Sequence, residues 1–336
     1  MSKNDGFQSP DVAGLTFRGV QGESDYPLLL AINRSSRQAD KDDEAVSLED
    51  IARAFAPSDE LNPTRDVLIA SLADAPAAAI GYSRLGWYSS RADTRLYYQI
   101  SRLMQEYRGR GLWPAMVRQN ERRLREIAEE HPVMPQRFYQ AWASDNQVDW
   151  ISVLESTGYR AVRRFNNMLH SLDEIPDRPL PAGFEIRPVQ PEHMRRIWEA
   201  QKEMNDGLFE NVAKDWTEEK YPAWLKNPSH TCQFWQVAWE GDQLAGMVLA
   251  RIDAKANEER KQKRGYTEHI YVRPHWRQRG LASALVARSL QALEAHGMQE
   301  AELGVDSENE SAAFSLYQRM GYQTFSTDTW FRKPMG

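Results

Sequence analysis

Cysteine is almost absent from the sequence, since Cys232 is the only one among 336 residues. This excludes a disulfide framework and a zinc site built on thiolates, and it gives no sign of an oxidising compartment. Long apolar runs are missing too, because no stretch has the length and character of a membrane span or a signal peptide. We therefore expect a cytoplasmic protein, in which residues 1–14 form a disordered tail.

An excess of positive charge and the motifs of several enzyme classes are also lacking. The formal net charge is -6 and the two signs are interleaved, so neither a nucleic-acid partner nor a membrane partner is expected. No GxxxxGK[ST] loop, HExxH pair or GxSxG elbow occurs, and none of the seven histidines has a metal-ligand spacing with another. NTPase, zincin and serine-hydrolase functions are excluded, and no metal is expected.

Residues 173–182 contain three prolines and charges of both signs, which interrupt the apolar periodicity on either side. We interpret them as a linker between residues 15–172 and residues 183–336. Each half then repeats one order of elements: a strand, a helical region, a strand hairpin, a strand that enters a basic loop, and a long helix. A further strand, an asparagine, a short helix closed by Gly-Tyr and a last strand complete each half, which indicates tandem duplication of one mixed α/β unit.

The predicted elements follow from the hydrophobic periods. In the first half they are strands at 15–20, 65–72, 80–87, 96–103 and 138–143, with helices at 26–37 and 113–129. In the second half they are strands at 184–188, 233–239, 244–252, 267–272 and 300–305, with helices at 193–205 and 282–296. Residues 254–265 are predicted to be a solvated hairpin loop, and a role in gating the acceptor is the alternative.

The segment from Tyr271 to Ala282 carries the chemistry. A strand ends near Pro274, and the basic loop that follows opens a helix. Gly280 and Ala282 keep bulky side chains away, so backbone N–H groups at the helix start can approach a diphosphate. Arg277 and Arg279 add positive charge, whereas the alternative is an ordinary basic turn.

These residues resemble the GCN5-related N-acetyltransferase (GNAT) superfamily, whose cofactor loop reads Gln/Arg-x-x-Gly-x-Gly/Ala. Arg277, Gly280 and Ala282 stand at the matching places. The later asparagine and the LY…GF ending of the family are matched by Asn309, Leu316-Tyr317 and Gly321-Tyr322. The resemblance implies two tandem GNAT-type domains of mixed α/β fold, each with a mostly antiparallel, mixed, twisted sheet flanked by helices.

The resemblance also implies that acetyl-CoA is the cosubstrate. The pantetheine arm would pair with the backbone of residues 270–272, and a strand N–H at Tyr271 or Val272 would meet the thioester carbonyl. Asn309 would bond the cofactor arm or cap the last helix. The predicted cofactor-binding residues are Ile270, Tyr271, Val272, Arg277, Gln278, Arg279, Gly280, Leu281, Ala282, Ser283 and Asn309.

Amine acetylation by direct attack needs a neutral nucleophile, so a base or a water relay is expected. Glu268 is the predicted base, and strand alternation would place it on the same face as Ile270 and Val272, with His269 facing the other way. The resemblance makes Tyr317 the acid that protonates the departing thiolate. The alternatives are a solvent-facing glutamate and a tyrosine that only packs on the core.

The N-terminal copy departs from this pattern. Arg108 and Gly111 match the arginine and glycine of the C-terminal loop, but Trp113 replaces the small residue and could crowd the phosphate. At the same offsets Glu268 corresponds to Gln99 and Tyr317 to Leu154. We therefore expect a degenerate N-terminal domain and a catalytic C-terminal one.

The acceptor is expected to be an amine of a small molecule or a peptide. In this superfamily the first two helices usually recognise it, and acidic groups beside tryptophans would suit a cation, although ordinary amphipathic helices explain the same pattern. The residues are Trp198, Glu203, Asp206, Glu210, Asp215, Trp216 and Trp224. The tandem arrangement and the ending GYQTFSTDTWF also resemble the mycothiol synthase family, which acetylates a cysteinyl pseudodisaccharide. A non-catalytic acyl-CoA sensor is the alternative from another class.

Overall fold

The computed structural model describes residues 7–8, 12–42, 46–57, 61–73, 75–91, 93–206, 216–227, 230–307 and 313–336. The chain forms two compact units. The first consists of Met1–Arg163 together with Asp328–Gly336, and the second of Arg164–Thr327. Each unit has its own set of strands and helices.

The sheet of the first unit runs in chain order. Its strands are β1 (Phe7–Gln8), β2 (Leu15–Gly19), β3 (Val67–Leu72), β4 (Ala75–Arg91), β5 (Thr94–Leu103) and β6 (Gln136–Ser144), and residues 328–334 pair with β6. Neighbours are antiparallel except β5 and β6, which are parallel. The helices are α1 (Tyr26–Ala39), α2 (Leu48–Ala54), α3 (Pro63–Asp66), α4 (Leu112–Glu129) and α5 (Val148–Ser156).

The second unit repeats this plan. Its strands are β8 (Glu185–Ile186), β9 (Trp235–Glu240), β10 (Gln243–Ile252), β11 (Arg264–Val272) and β12 (Glu300–Asp306), together with most of β7 (Arg160–Ser171) and the start of β13 (Gln323–Pro334). The sheet order is β8-β9-β10-β11-β12-β7, in which β11 and β12 are parallel and the other neighbours are antiparallel. The helices are α6 (Met194–Asp206), α7 (Tyr221–Leu225), α8 (Ala254–Arg260), α9 (Leu281–Ala295) and α10 (Ser315–Arg319).

Alternation along β3 explains how one sheet is covered on both faces. Val67 and Ile69 pack with α1 and α2, whereas Leu68 and Ala70 pack with α4 and α5. Successive side chains of a strand point to opposite faces, and burial of each large apolar side chain contributes about 1.5–3 kcal/mol. In the second unit, α6 covers one face and α9 with α10 covers the other.

The predicted fold class, mixed α/β with a mixed sheet flanked by helices, is confirmed. The chain passes from the first unit to the second between Arg163 and Arg164, inside β7, and returns between Thr327 and Asp328, inside β13. The predicted linker, residues 173–182, therefore lies within the second unit. The reason is that residues 165–171 already pair with β12.

The prediction of a solvated loop at residues 254–265 is wrong over its first half, which forms α8. The Asp253 side chain accepts a hydrogen bond from the Ala256 N–H, and Lys261 ends the helix in the left-handed conformation. The Asn257 side chain donates to the Arg264 carbonyl and fixes the chain that follows. Charge density suggested a solvated turn, but alanine and glutamate favour helix once a cap is present. No helix in the described ranges has the length and apolar character needed to cross a bilayer.

Candidate active site

The two parallel strands of the second unit separate partway along their length. β11 and β12 pair only from Arg264 to Tyr266 against Glu300 to Glu302, although both strands continue beyond these residues. A cavity of about 430 Å³ lies at the opening. It is lined by Met204, Thr267, Glu268, His269, Ile270, Gly304 and Tyr317. The opening leaves one edge of β11 without a strand partner, as an added extended chain would require.

A β-bulge at His269 changes which way the side chains of β11 point. Glu268 lies opposite Leu249 and Tyr271 lies opposite Met247, so two residues of β11 face one residue of β10. The backbone of His269 has φ 47°, a left-handed conformation that is uncommon for a residue other than glycine. Such bulges often re-aim side chains beside functional sites.

The bulge overturns the expected alternation. Glu268 stands beside Leu249, which belongs to the apolar cluster under α6. Val272 and Ile270 instead pack with the cluster under α9. The prediction that Glu268 shares a face with Ile270 and Val272 is therefore wrong. His269, which was predicted to face away from Glu268, lines the same cavity.

The carboxylate of Glu268 is already engaged by a cation. Its Oε1 accepts a hydrogen bond from Nε of Arg251 at 3.1 Å. The guanidinium of Arg251 in turn lies over the ring of Tyr266, with 4.1 Å from Cζ to the centroid. Glu268 thus reaches the cavity as one half of an ion pair.

Tyr317 lies on α10 and is 7% exposed. Burial raises its pKa to about 12, so the phenol stays protonated at neutral pH. Its ring meets that of Tyr322 edge to face, with centroids 6.1 Å apart. The Tyr322 hydroxyl bonds Oγ1 of Thr267 at 2.7 Å, which fixes the aromatic pair against β11.

The predicted phosphate loop joins β11 to α9. Gln278 and Gly280 are both left-handed, with φ 61° and 80°, and α9 begins at Leu281 without a side-chain cap. A Cβ on Gly280 would meet only Pro181, at 3.8 Å, so the space above the first turn is open. The exposed N–H groups of an uncapped helix start are the groups that bind phosphate in many proteins.

The two arginines of the loop differ in their contacts. Nε of Arg277 donates to the Val272 carbonyl at 2.9 Å, which ties the loop to the end of β11. Arg279 pairs with Glu240 at 3.0 Å and lies over the ring of Phe184. Hydrogen bonds from Trp276 and Arg279 lower the pKa of Glu240. Ser283 lies in the first turn of α9, and Asn309 lies outside the described residues.

The proposed acceptor residues are mostly held in structural contacts. Trp198 is buried and packs against Trp216 and Tyr221. Both carboxylate oxygens of Glu203 accept bonds from Arg273 at 2.8 Å. The rings of Trp224 and Tyr221 stack. Glu210, Asp215 and the side chain of Asp206 lie outside the described residues.

Residues 193–322 match the family model described as the Acetyltransferase (GNAT) family. The second unit carries a GNAT acetyltransferase domain. The match includes α6, the bulged strand β11, the loop and Tyr317. The sequence resemblance to this superfamily is thereby confirmed.

Solved structures extend the likeness in fold to the whole chain. A GCN5-related N-acetyltransferase from Sphaerobacter thermophilus has a TM-score of 0.75 at 23% identity, over 97% of each chain. A tandem GNAT protein from the clavulanic acid biosynthesis pathway has a TM-score of 0.64 at 14% identity, over 96% of this chain and 99% of that one. The predicted tandem arrangement of two GNAT-type units is confirmed as a fold.

Curated relatives include the mycothiol acetyltransferase of Streptomyces coelicolor, which is 27% identical over 187 residues. The alignment covers 54% of this chain and 55% of the relative. The chain therefore spans about half the length of the curated relatives that it matches.

The loop of the first unit has the backbone of the GNAT domain's loop but a different use of its side chains. Gly109 and Gly111 are both left-handed at φ 73°, at the positions of Gln278 and Gly280. The Arg108 side chain turns inward, where Nη1 lies 2.6 Å from Oδ1 of Asp40. The charge of Arg108 is thus used in an ion pair inside its own unit and does not face the loop.

The size of Trp113 suggested that its side chain would crowd the loop of the first unit, but the side chain points into the core instead. Its indole is buried, stacks on Trp150 with centroids 5.0 Å apart, and donates from Nε1 to Oγ of Ser101 at 3.1 Å. Burial of an indole removes a large apolar area from water, which explains its inward position. A cavity of about 320 Å³ remains beside it, bordered by Gln99, Ser101 and Trp150 among others.

The bulge also changes which residues of β5 and β11 correspond. Pairing of β4 with β5 is regular from Ser89 to Gly81, so β5 has no bulge there. Gln99 donates to the Tyr159 hydroxyl at 2.6 Å, as Thr267 bonds the Tyr322 hydroxyl in the GNAT domain. By side-chain direction, Gln99 therefore corresponds to Thr267. The residue that follows Gln99 in β5, which is apolar, is then the counterpart of Glu268.

The correspondence of Leu154 with Tyr317 agrees with the structure. The N–H of Tyr159 donates to the Leu154 carbonyl, and the N–H of Tyr322 donates to the Tyr317 carbonyl, both at 3.0 Å. Leu154 is buried in the core of the first unit. The first unit thus has no phenol at this place.

Proposed function

We propose that the GNAT domain transfers an acetyl group from acetyl-CoA to a primary amine of a small molecule or a peptide. The amine would attack the thioester directly in a ternary complex, in the second unit. The observation that carries this proposal is the cavity between the separated strands, in which Glu268 and Tyr317 face one space. The strand that lines it leads directly into the uncapped start of α9.

The described residues fit the shape of the cosubstrate. The pantetheine arm would lie along the unpaired edge at residues 270–272, as an extended chain adds to a sheet. The pyrophosphate would contact the backbone from Gln278 to Ser283, with Arg277 and Arg279 supplying positive charge. The N–H of Tyr271 or Val272 would stabilise the oxyanion that forms at the thioester carbonyl.

Tyr317 suits the role of proton donor to the leaving sulfur. Burial keeps its hydroxyl protonated, and the same burial raises the pKa of a thiol formed in the cavity. A phenol can therefore donate first a hydrogen bond and then a proton as the C–S bond breaks. The first unit has Leu154 at this place, which supports a single reacting site in the second unit.

A panel of amines tests the proposal. The chain is incubated with acetyl-CoA and each amine, and release of CoA thiol is followed with a thiol reagent. Thiol release that depends on one class of amine is the expected result. Tight binding of acetyl-CoA without release across the panel would favour the acyl-CoA sensor instead.

A cysteinyl pseudodisaccharide is the acceptor that the relatives favour. The five mycothiol acetyltransferases are 23% to 29% identical to this chain. The amine of a cysteinyl group is an α-amine with a reference pKa of about 7.7–8.0, so a useful fraction is neutral near pH 7. Including this compound in the panel distinguishes a specific acetyltransferase, which would prefer the cysteinyl pseudodisaccharide, from a general amine acetyltransferase, which would not prefer it over simple α-amines.

A further inference from the structure

His269 occupies an unusual backbone position in the wall of the cavity. It is the bulged residue of β11, its φ is 47°, and its side chain lines the same space as Glu268 and Tyr317. A strand residue in the left-handed region is strained, and such strain often marks a functional site. Without the bulge, regular alternation would point His269 to the face opposite Glu268.

The neighbouring carboxylate is less free than the imidazole. Oε1 of Glu268 accepts a hydrogen bond from Arg251 at 3.1 Å, so one of the two carboxylate oxygens already serves an ion pair. Within the described part of the chain the imidazole of His269 forms no hydrogen bond, and its side chain is exposed to the cavity. The imidazole therefore offers a ring nitrogen that no hydrogen bond occupies, whereas the carboxylate shares its charge with Arg251.

We propose that His269 is the general base that takes the proton from the acceptor amine, a role that rests on the acetyl transfer proposed above. The nitrogen lone pair of the amine attacks the thioester carbon, and the carbonyl electrons move to oxygen. The attached N–H is now acidic and passes its proton to the imidazole. The carbonyl then re-forms as the C–S bond breaks, and the sulfur leaves with the electron pair and takes a proton from Tyr317. The imidazolium returns its proton to water, and the Tyr317 phenolate takes one back from water, so both groups are restored.

The surroundings of the ring favour the neutral form that a base needs. Desolvation lowers the pKa of His269 below its ordinary value near 6.5, while the charge of Glu268 partly opposes this and that of Arg251 adds to it. His230 lies close enough for the charge of His269 to lower its pKa further, beyond the effect of burial. Tyr317 shares the cavity and stays neutral. The imidazole is thus unprotonated at pH 7, and activity should fall as the pH drops through its pKa.

Two variants of His269 and one of Glu268 test the assignment with the amine that the wild type acetylates best. His269→Asn keeps a residue that tolerates positive φ, and His269→Gly relieves the backbone strain and leaves a space. We expect both to lower kcat by roughly 10²- to 10⁴-fold while the affinity for acetyl-CoA, measured by calorimetry, stays within about twofold. The acid limb of the kcat/KM profile should disappear, and added imidazole should restore turnover to His269→Gly.

Glu268→Gln should lower kcat by a smaller factor and keep the acid limb. The assignment is overturned if His269→Asn retains turnover and the acid limb, or if the limb disappears only in Glu268→Gln. It is also overturned if His269→Gly keeps acetyl-CoA affinity but gains nothing from imidazole. A wild type that releases no thiol with any amine would refute the proposed function as well, so the two failures can be told apart.

Discussion

Replacing Arg108 by alanine should destabilise the first unit and leave acetyl-CoA binding intact. Arg277→Ala should instead weaken acetyl-CoA binding and leave the stability of the fold almost unchanged. The two arginines occupy the same place in duplicated loops, but only Arg108 is buried in an ion pair. Its side chain is 9% exposed and that of Asp40 is 3% exposed. Nη2 also donates to the carbonyl and the hydroxyl of Ser36, at 3.0 and 3.1 Å.

The size of the effect follows from the partner that remains. Removing one member of a buried ion pair costs about 3–5 kcal/mol, because the other charge stays buried without compensation. Gln147 Nε2 lies 3.4 Å from the second oxygen of Asp40 and would offset part of that cost. The contact of Arg108 with Asp149 adds little, since Asp149 is 61% exposed. We therefore expect a loss of about 3 kcal/mol, roughly two powers of ten in the folding equilibrium of this unit.

Urea unfolding followed by tryptophan fluorescence measures this loss, since Trp113 and Trp150 stack in the core of the first unit. Calorimetry with acetyl-CoA measures binding in the same samples. The matched control, Arg277→Ala, changes an exposed loop residue and should alter the unfolding free energy by less than about 0.5 kcal/mol. An Arg108→Ala protein with an unchanged urea midpoint and weakened acetyl-CoA binding would refute the distinction between the loops.

Three further predictions follow from single contacts. Ala282→Trp should abolish acetyl-CoA binding, measured by calorimetry, without unfolding the protein. The matching indole in the first unit reaches the strand segment that corresponds to residue 270, which is where the pantetheine arm is proposed to lie. Tyr317→Phe should lower kcat for thiol release while the KM for acetyl-CoA changes little; an equal loss in Leu154→Ala would contradict this. Asp25 has a pKa held below its ordinary value by hydrogen bonds from Arg18 and from a backbone N–H. It therefore adds stability above about pH 4 that is lost as the pH falls through its folded pKa, so urea midpoints of Asp25→Asn and wild type should converge at low pH.

The repeated fold could be predicted because its markers are local. Glycine, proline and the Gly-Tyr pairs mark the same turns in both halves, and the periodic apolar residues between them identify the strands and long helices. The long helices start within one residue of their predicted positions, at Leu112 and Leu281. The family resemblance rests on the same loop and was confirmed.

The site could be predicted only in part, because tertiary pairing decides how side chains point. No glycine marks the bulge at His269, so strict alternation was the natural expectation and gave the wrong face for Glu268. The inward turn of Arg108 depends on Asp40, a residue 68 positions earlier in the chain. The roles of Glu268 and Tyr317 stay predictions, although both side chains do line one cavity.

The last residues of the chain, Asp328–Gly336, complete the sheet of the first unit. Residues 328–334 pair with β6, and Nζ of Lys333 donates to both carboxylate oxygens of the buried Glu121 at 2.9 and 2.8 Å. During synthesis residues 328–334 must therefore be made before the sheet of the first unit can be completed. No single cut of the gene can release that unit whole, because a fragment ending at residue 163 would expose β6 as an open edge prone to aggregation. The duplicated halves have become interdependent in biogenesis, although the chemistry is proposed for only one of them.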